Sequence, residues 1–306
     1  MSTATLSIDE LLQTTSRTFA LSIPLLPTPL DHDITLAYLI FRIADTIEDA
    51  NHLQRDDRCH ALQEFHDLLH DCLLQSDRDT CQRTNQWAQR YQDVSDNAHY
   101  NRLVNETSRV FCLVSERHNP AKLAIQRHAA RSVLGMKETL RRADVAGNLT
   151  LCSVDDLRQY CYYVAGIVGE MITELFLSDH DQPIKTPEEH TLQNTAAAFG
   201  EALQLVNILK DSGDDAICGR AYLPPHVPRD QIHQLANDRL LDAEVYVRTL
   251  REIGASPGMI AFCDAPMQLA KRTLEVVEEH GPGSKIPREE TFVLLQQVIE
   301  RAGLVI

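Results

Sequence analysis

Apolar residues recur at three- and four-residue spacings along nearly the whole chain, and alternating strand-like runs are scarce. That period predicts helices over 31–51, 57–75, 80–93, 98–116, 121–143, 154–178, 188–213, 229–253, 258–280 and 288–303. Proline and glycine separate the blocks, at 24–29, Asn119-Pro120, Asp181-Gln182-Pro183, Leu223-Pro224-Pro225, Ser256-Pro257-Gly258 and Gly281-Pro282-Gly283. Two starts carry cap signals. Ser153 precedes Asp155 and Asp156, as an N-cap precedes an acidic first turn. Thr186-Pro187-Glu188-Glu189 puts proline at the first helical position. The polar stretch 51–96 reads as an outer helical pair with solvated faces. No repeat, low-complexity tract or linker divides the chain, so residues 1–306 are expected to form one all-α domain.

Composition narrows the function. With 43% hydrophobic residues the 306-residue chain can fill a sizeable core. A net charge of −15 argues against nucleic acid as a partner, because such a surface repels phosphate backbones. A small polyanion would need local arginines or bridging metal ions. The eight cysteines form no CxxC pair, and the first ten residues lack a basic region followed by an apolar run, so the expectation is a reduced, cytoplasmic protein. No stretch reaches about 18 consecutive apolar residues. The segment 291–306 carries Glu300 and Arg301 and reads as a packed terminal helix.

Two acidic clusters stand out, Asp45-Thr46-Ile47-Glu48-Asp49 and Asp211-Ser212-Gly213-Asp214-Asp215. Asp45, Glu48 and Asp49 fall on one face of a predicted helix, and their flanks Leu36, Leu39, Ile40 and Ile43 are apolar. Asp211 and Asp215 repeat the four-residue spacing, with Asn207 and Gln204 one and two turns earlier. Like charges so spaced repel unless solvated or neutralised by a cation. Oxygen-only donors suit Mg²⁺. A solvated acidic face and a cation site both remain open from spacing alone.

Further blocks decide between them. Thr15-Ser16-Arg17-Thr18-Phe19-Ala20 and Phe41-Arg42-Ile43-Ala44-Asp45 lead into the first cluster. Tyr160-Cys161-Tyr162-Tyr163-Val164-Ala165-Gly166-Ile167-Val168-Gly169 lies centrally. Gln204-Leu205-Val206-Asn207-Ile208-Leu209-Lys210-Asp211 and Gly219-Arg220-Ala221-Tyr222-Leu223-Pro224 frame the second. In order and spacing, over about residues 14 to 225, these resemble the squalene/phytoene synthase family.

The resemblance implies an isoprenoid-synthase-type helical bundle around a central cavity. It implies head-to-head joining of two prenyl diphosphates through a cyclopropyl diphosphate, with squalene or a close C30 product from farnesyl diphosphate. A phytoene- or dehydrosqualene-type product, a single-substrate terpene cyclase and a non-catalytic relative are the alternatives. On this reading Asp45, Glu48, Asp49, Asn207, Asp211 and Asp215 hold Mg²⁺, or Mn²⁺ in its place. Arg17, Arg42, Gln204, Asn207, Lys210 and Arg220 meet the substrate diphosphates. Tyr160 stabilises a cation or passes a proton, while Tyr163 is expected to be a packed core residue. NADPH rests on analogy alone, since no GxGxxG fingerprint is present. Gly166 and Gly169 suggest a kink or a close approach of substrate chain and backbone. Phe19, Leu39, Val164, Val168 and Leu203 are candidates for an apolar tunnel. Lys210 replaces an arginine usual in squalene synthases. The predicted helix stops at Gly213, whereas Asp45 to Asp49 are expected within one clean helical turn. A peripheral membrane contact for product release and a monomer or homodimer complete the expectations.

Overall fold

The computed structural model describes residues 6–16, 18–50, 52–71, 73, 78–178 and 186–304. These fold into two compact units, Met1–Pro24 with Thr28–Arg141, and Leu25–Pro27 with Arg142–Ile306. Both are helical. The strand content of the described residues is one parallel pair of two-residue strands.

The first unit holds α1 (Ile8–Thr15), α2 (Phe19–Ser22), α3 (Leu30–Glu48), α4 (Arg55–Asp71), α5 (Arg78–Arg90), α6 (Ala98–Asn105), α7 (Thr107–Ser115) and α8 (Asn119–Leu140). Helix α3 is its centre and packs against α1, α4, α6, α7 and α8. Its sequence explains the position. Leu36, Ala37, Leu39, Ile40, Ile43 and Ile47 are buried, and so are Ile34, Thr35, Phe41 and Thr46, which together cover most of the helix circumference rather than one stripe. The polar stretch does form a helical pair, α4 and α5. Its inner side is well packed, with the Phe65 and Trp87 ring centroids 4.9 Å apart. The predicted 98–116 block is two helices. The Thr107 hydroxyl donates to the Val104 carbonyl at 2.6 Å, a local bond that competes with the helical ladder at the break. The short α1 was not predicted, although its Ser7–Glu10 capping box is legible in the sequence.

Asp33 staples α3 to the α7–α8 turn. It is fully buried and accepts from Arg117 Nε at 2.5 Å, with His118 Nε2 at 3.1 Å. Asp33→Ala is expected to cost about 2–3 kcal/mol in urea unfolding, because two polar partners lose their acceptor. An unchanged urea midpoint would show the staple to be dispensable.

The second unit contains β1 (Leu149–Thr150), α9 (Val154–Cys161), a π-turn (Tyr162–Gly166), α10 (Ile167–Ser178), α11 (Pro187–Ile217), β2 (Arg220–Ala221), α12 (Arg229–Glu252), α13 (Pro257–His280) and α14 (Arg288–Arg301). Here α11 is central and packs on α9, the π-turn, α10, α12, α13 and β2. Both predicted caps form. Ser153 and Asp156 make a capping box, and Thr186 accepts from Glu189 with Pro187 at the first helical position. Leu25 packs against Ala261, Ala265 and Val298. The stretch Val154–Ser178 is long and apolar enough to cross a membrane by length and composition, yet it packs along α11.

Two boundaries differ from expectation. The 154–178 block carries a π-turn, in which the Ile167 N–H reaches the Tyr162 carbonyl five residues back. Helix α11 does not stop at Gly213 but runs on to Ile217. A helical glycine costs about 1 kcal/mol against alanine, and the packing of a 31-residue central helix overrides that.

Candidate active site

Each acidic cluster lies at the C-terminal end of the central helix of its unit. That is an unfavourable place for carboxylates, because the helix dipole is negative there. Neither helix offers a basic residue in its last turn. Both clusters therefore collect negative charge where the backbone already adds to it.

In the first unit the predicted helical turn ends early. Glu48 is the last residue of α3 and Asp49 is its C-cap, with φ −83° and ψ 0°. Asp45 and Glu48 are half-buried and Asp49 is exposed. Burial pushes the Asp45 carboxyl up from 3.8 to about 6; Arg42 opposes this and Asp49 adds to it. The Asp45 side chain keeps 32% of its surface open, so the rise reflects crowding by protein and a like charge rather than complete loss of water.

Arg42 is held from several sides. Its Nη1 lies 3.5 Å from Asp45 Oδ2, and its Nε donates to the Tyr38 hydroxyl at 3.2 Å. The guanidinium carbon stands 5.5 Å from the ring centroids of both Tyr38 and Tyr100. Tyr38 in turn donates to the Thr15 carbonyl at 2.6 Å. Burial alone would lower the Arg42 guanidinium, but Asp45, Tyr38 and Tyr100 together raise it above its ordinary value. Since that group is charged at any working pH, the raised Asp45 is the shift with chemical consequence. Arg58, buried on α4, donates to the Glu48 carbonyl at 3.0 Å and caps the end of α3. Sequence reasoning missed Tyr38, Tyr100 and Arg58. The i, i+4 spacing of Tyr38 and Arg42 was a usable signal; Arg58 offered none. Arg17 lies outside the described residues.

In the second unit Gln204, Asn207, Asp211, Asp214 and Asp215 share one uninterrupted helix at three- and four-residue spacings. Lys210 lies 3.1 Å from Asp211 and donates to Asn207 Oδ1 at 3.4 Å. Arg229 on α12, also missed, donates to the Leu209 carbonyl at 2.6 Å and the Ser212 hydroxyl at 3.4 Å. Arg220 sits in β2, whose register pairs Leu149 with Arg220 and Thr150 with Ala221.

Tyr160 is buried, and its hydroxyl donates to that of Tyr222 at 3.0 Å. The two rings stack with centroids 4.6 Å apart and an interplanar angle of 17°. Tyr222 stands inside a block singled out from the sequence, yet its partnership was not foreseen. Tyr163 is not the packed core residue expected. It is half-buried and accepts from Gln159 Nε2 at 3.1 Å. Gly166 ends the π-turn, and a Cβ on Gly169 would stand 2.0 Å from the Ala196 carbonyl oxygen, so the close approach there is by the α11 backbone. Among the tunnel candidates Leu39 is fully buried core, while Phe19, Val164, Val168 and Leu203 are half-buried.

No three carboxylate, imidazole or thiol groups among the described residues converge as a ready-made metal cage. Magnesium does not require one, since it keeps waters and takes one or two carboxylates together with substrate phosphates. The oxygen-only donors, and the crowded negative charge at Asp45, fit such an ion.

The all-α architecture is that of an isoprenoid synthase. A solved complex of TcSQS with the ligand E5700 matches with a TM-score of 0.73 at 20% identity, over 96% of this chain and 88% of that one. The chain belongs to the squalene/phytoene synthase family, whose model matches residues 12–288, and the members of that family are prenyltransferases. It is 26% identical over 290 residues to the squalene synthase of Cyberlindnera jadinii and 29% identical over 295 residues to squalene synthase ERG9 of Saccharomyces cerevisiae. Both matches take in 88% of this chain, which spans 60% of the length of each relative. Chloroplastic phytoene synthase 1 of Arabidopsis thaliana is 41% identical over 92 residues, 30% of this chain and 19% of that protein.

Proposed function

We propose that this protein joins two farnesyl diphosphates head to head, through a cyclopropyl diphosphate, to squalene or a close C30 product. One observation carries the reading. Each unit's central helix ends in a carboxylate cluster with no basic residue of its own in the last turn, and at Asp45 the crowding raises the carboxyl to about 6. Such an arrangement makes sense where a cation and a polyanion arrive together.

On this reading Asp45, Glu48 and Asp49 hold one group of Mg²⁺ sites, and Asn207, Asp211 and Asp215 another. The bound ions would neutralise the charge that grows on a departing diphosphate. Arg42 is oriented by Tyr38 and Tyr100 and offers a fixed guanidinium fork to a diphosphate. Arg220, fastened by the β1–β2 pairing, offers a second. Arg17 is proposed as a third phosphate contact, on the family resemblance. Lys210 is already shared between Asp211 and Asn207 and steadies both. Gln204 continues the polar face of α11 one turn further in. The Tyr160 ring provides an electron-rich face for an allylic cation. Val164, Val168 and Leu203 are apolar and half-buried, as a prenyl chain requires.

The higher identity of the short phytoene synthase match favours a second reading, a phytoene- or dehydrosqualene-type product without reduction. One assay separates the two. The purified chain is incubated with farnesyl or geranylgeranyl diphosphate and Mg²⁺, with and without NADPH. Squalene when NADPH is present, or a C30 alcohol, is expected from farnesyl diphosphate. Dehydrosqualene from farnesyl diphosphate even with NADPH present, or turnover confined to geranylgeranyl diphosphate, would select the second reading. A C15 product would point to a single-substrate cyclase, and no diphosphate release from any C10–C20 donor would sink all of them.

A further inference from the structure

We propose that Tyr222 is a positioning residue that acts through Tyr160, an inference that rests on the prenyl-condensing reading above. The two phenols arrive on separately fixed pieces of backbone. Tyr160 lies on α9, whose start is locked by the Ser153–Asp156 capping box and whose end passes straight into the π-turn. Tyr222 follows β2 directly. Leu149 N–H donates to the Gly219 carbonyl at 2.8 Å and Leu151 N–H to the Ala221 carbonyl at 3.0 Å. Gly219 turns the chain into that strand at φ +76°, and Asn148 fills the space where a Cβ would stand. Arg220, proposed to hold diphosphate, is thus two residues from the ring that stacks on Tyr160.

The pairing constrains Tyr160 in two ways. Stacking at 4.6 Å with an interplanar angle of 17° fixes its ring plane and commits one face to Tyr222. Its single hydroxyl proton is committed to Tyr222, so the Tyr160 oxygen is held electron-rich and oriented. Both rings are over nine-tenths buried, at 5% and 7% exposure, so water does not substitute readily for the bond. Tyr160 then acts as a cation-stabilising ring whose aim is set by Tyr222, rather than as the donor of a proton to diphosphate.

The test is a double-mutant cycle on the full chain with farnesyl diphosphate and Mg²⁺, using Tyr160→Phe, Tyr222→Phe and the pair together. Tyr222→Phe keeps the stack and removes one oxygen, so thermal unfolding serves to confirm the fold. Each single change is expected to lower kcat about tenfold with KM within about twofold. The double variant is expected to be no worse than the weaker single, because both remove the same interaction. Losses that multiply to about a hundredfold, or a Tyr222→Phe effect confined to KM, would overturn the pairing while leaving the reaction in place. A wild-type chain inert toward every C10–C20 donor would overturn the reaction itself, and the pairing with it.

Discussion

Asp45→Asn is expected to abolish turnover and, at the same time, to make the metal-free protein more stable above pH 6. The activity loss is expected to reach about 100- to 1000-fold, because on the proposed reading the substitution removes a negative oxygen donor to a Lewis acid. The stability gain follows from the raised carboxyl. Below pH 3.8 Asp45 is protonated in the folded and unfolded chain alike, so the asparagine variant and the wild type differ little. As pH climbs from 3.8 the unfolded chain ionises first, whereas the folded chain holds its proton until about 6. Wild-type stability falls across that window and stays lowered above it. The full gap corresponds to about 3 kcal/mol, which reduces to about 1–2 kcal/mol for a side chain left one-third open to water. Asparagine mimics the protonated form with Arg42 still beside it and escapes the penalty. Urea unfolding at pH 4 and pH 7.5 without divalent metal checks this, and a gap between variant and wild type that fails to widen with pH would contradict it. Asp211→Asn serves as the contrast. It should lose activity to the same degree, but Asp211 is 40% exposed and paired with Lys210, so its effect on stability should stay within about 0.5 kcal/mol.

The helices were legible because their cores are local repeats. α12, α13 and α14 begin and end within two residues of the pattern-based ranges. The π-turn was not legible, since the apolar pattern of 154–178 runs through it without a break. Its register is set by contact with α11, 35 residues further along the chain, where Gly200 meets Ala165. Chemistry followed the same division. Asp45, Arg42, Asp211 and Tyr160 sit in recognisable strings, but what each touches is decided by partners from elsewhere. Tyr100 reaches Arg42 from α6, and Arg58 reaches the α3 terminus from α4. Tyr222 meets Tyr160 across 62 residues only because two tiny strands pair. Glycine misled at one site for a physical reason. Gly213 has open space around it and a helical backbone, so it closes nothing, and the second cluster rides on an uninterrupted helix while the first spills onto a C-cap.

Gly200→Ala and Gly169→Ala are expected to be strongly destabilising changes in the second unit. A Cβ on Gly200 would lie 1.9 Å from the Ala165 carbonyl oxygen and 2.5 Å from its carbon. One on Gly169 would lie 2.0 Å from the Ala196 carbonyl oxygen. The obstacles are backbone atoms within packed helices, so no side chain can swing aside. Helix propensity pulls the other way, by about 1 kcal/mol in favour of alanine. Forcing two backbones apart in a dense core costs about 3–5 kcal/mol, which decides the sign and is a large share of a folded domain's stability of about 5–15 kcal/mol. Gly213→Ala, with no atom within 4 Å of the added carbon, should instead be neutral or stabilising by up to about 1 kcal/mol. Urea midpoints of the three variants check the ordering, and an unaffected Gly200→Ala would mean that the α11–π-turn contact is not this close. Activity should suffer beyond the loss of folded protein. Gln204, Asn207 and Asp211 follow Gly200 on the same helix at one, two and three turns, while Tyr160 adjoins the π-turn that Gly200 touches. Pushing these backbones apart moves the face proposed to bind diphosphate away from the tyrosine, even in molecules that remain folded.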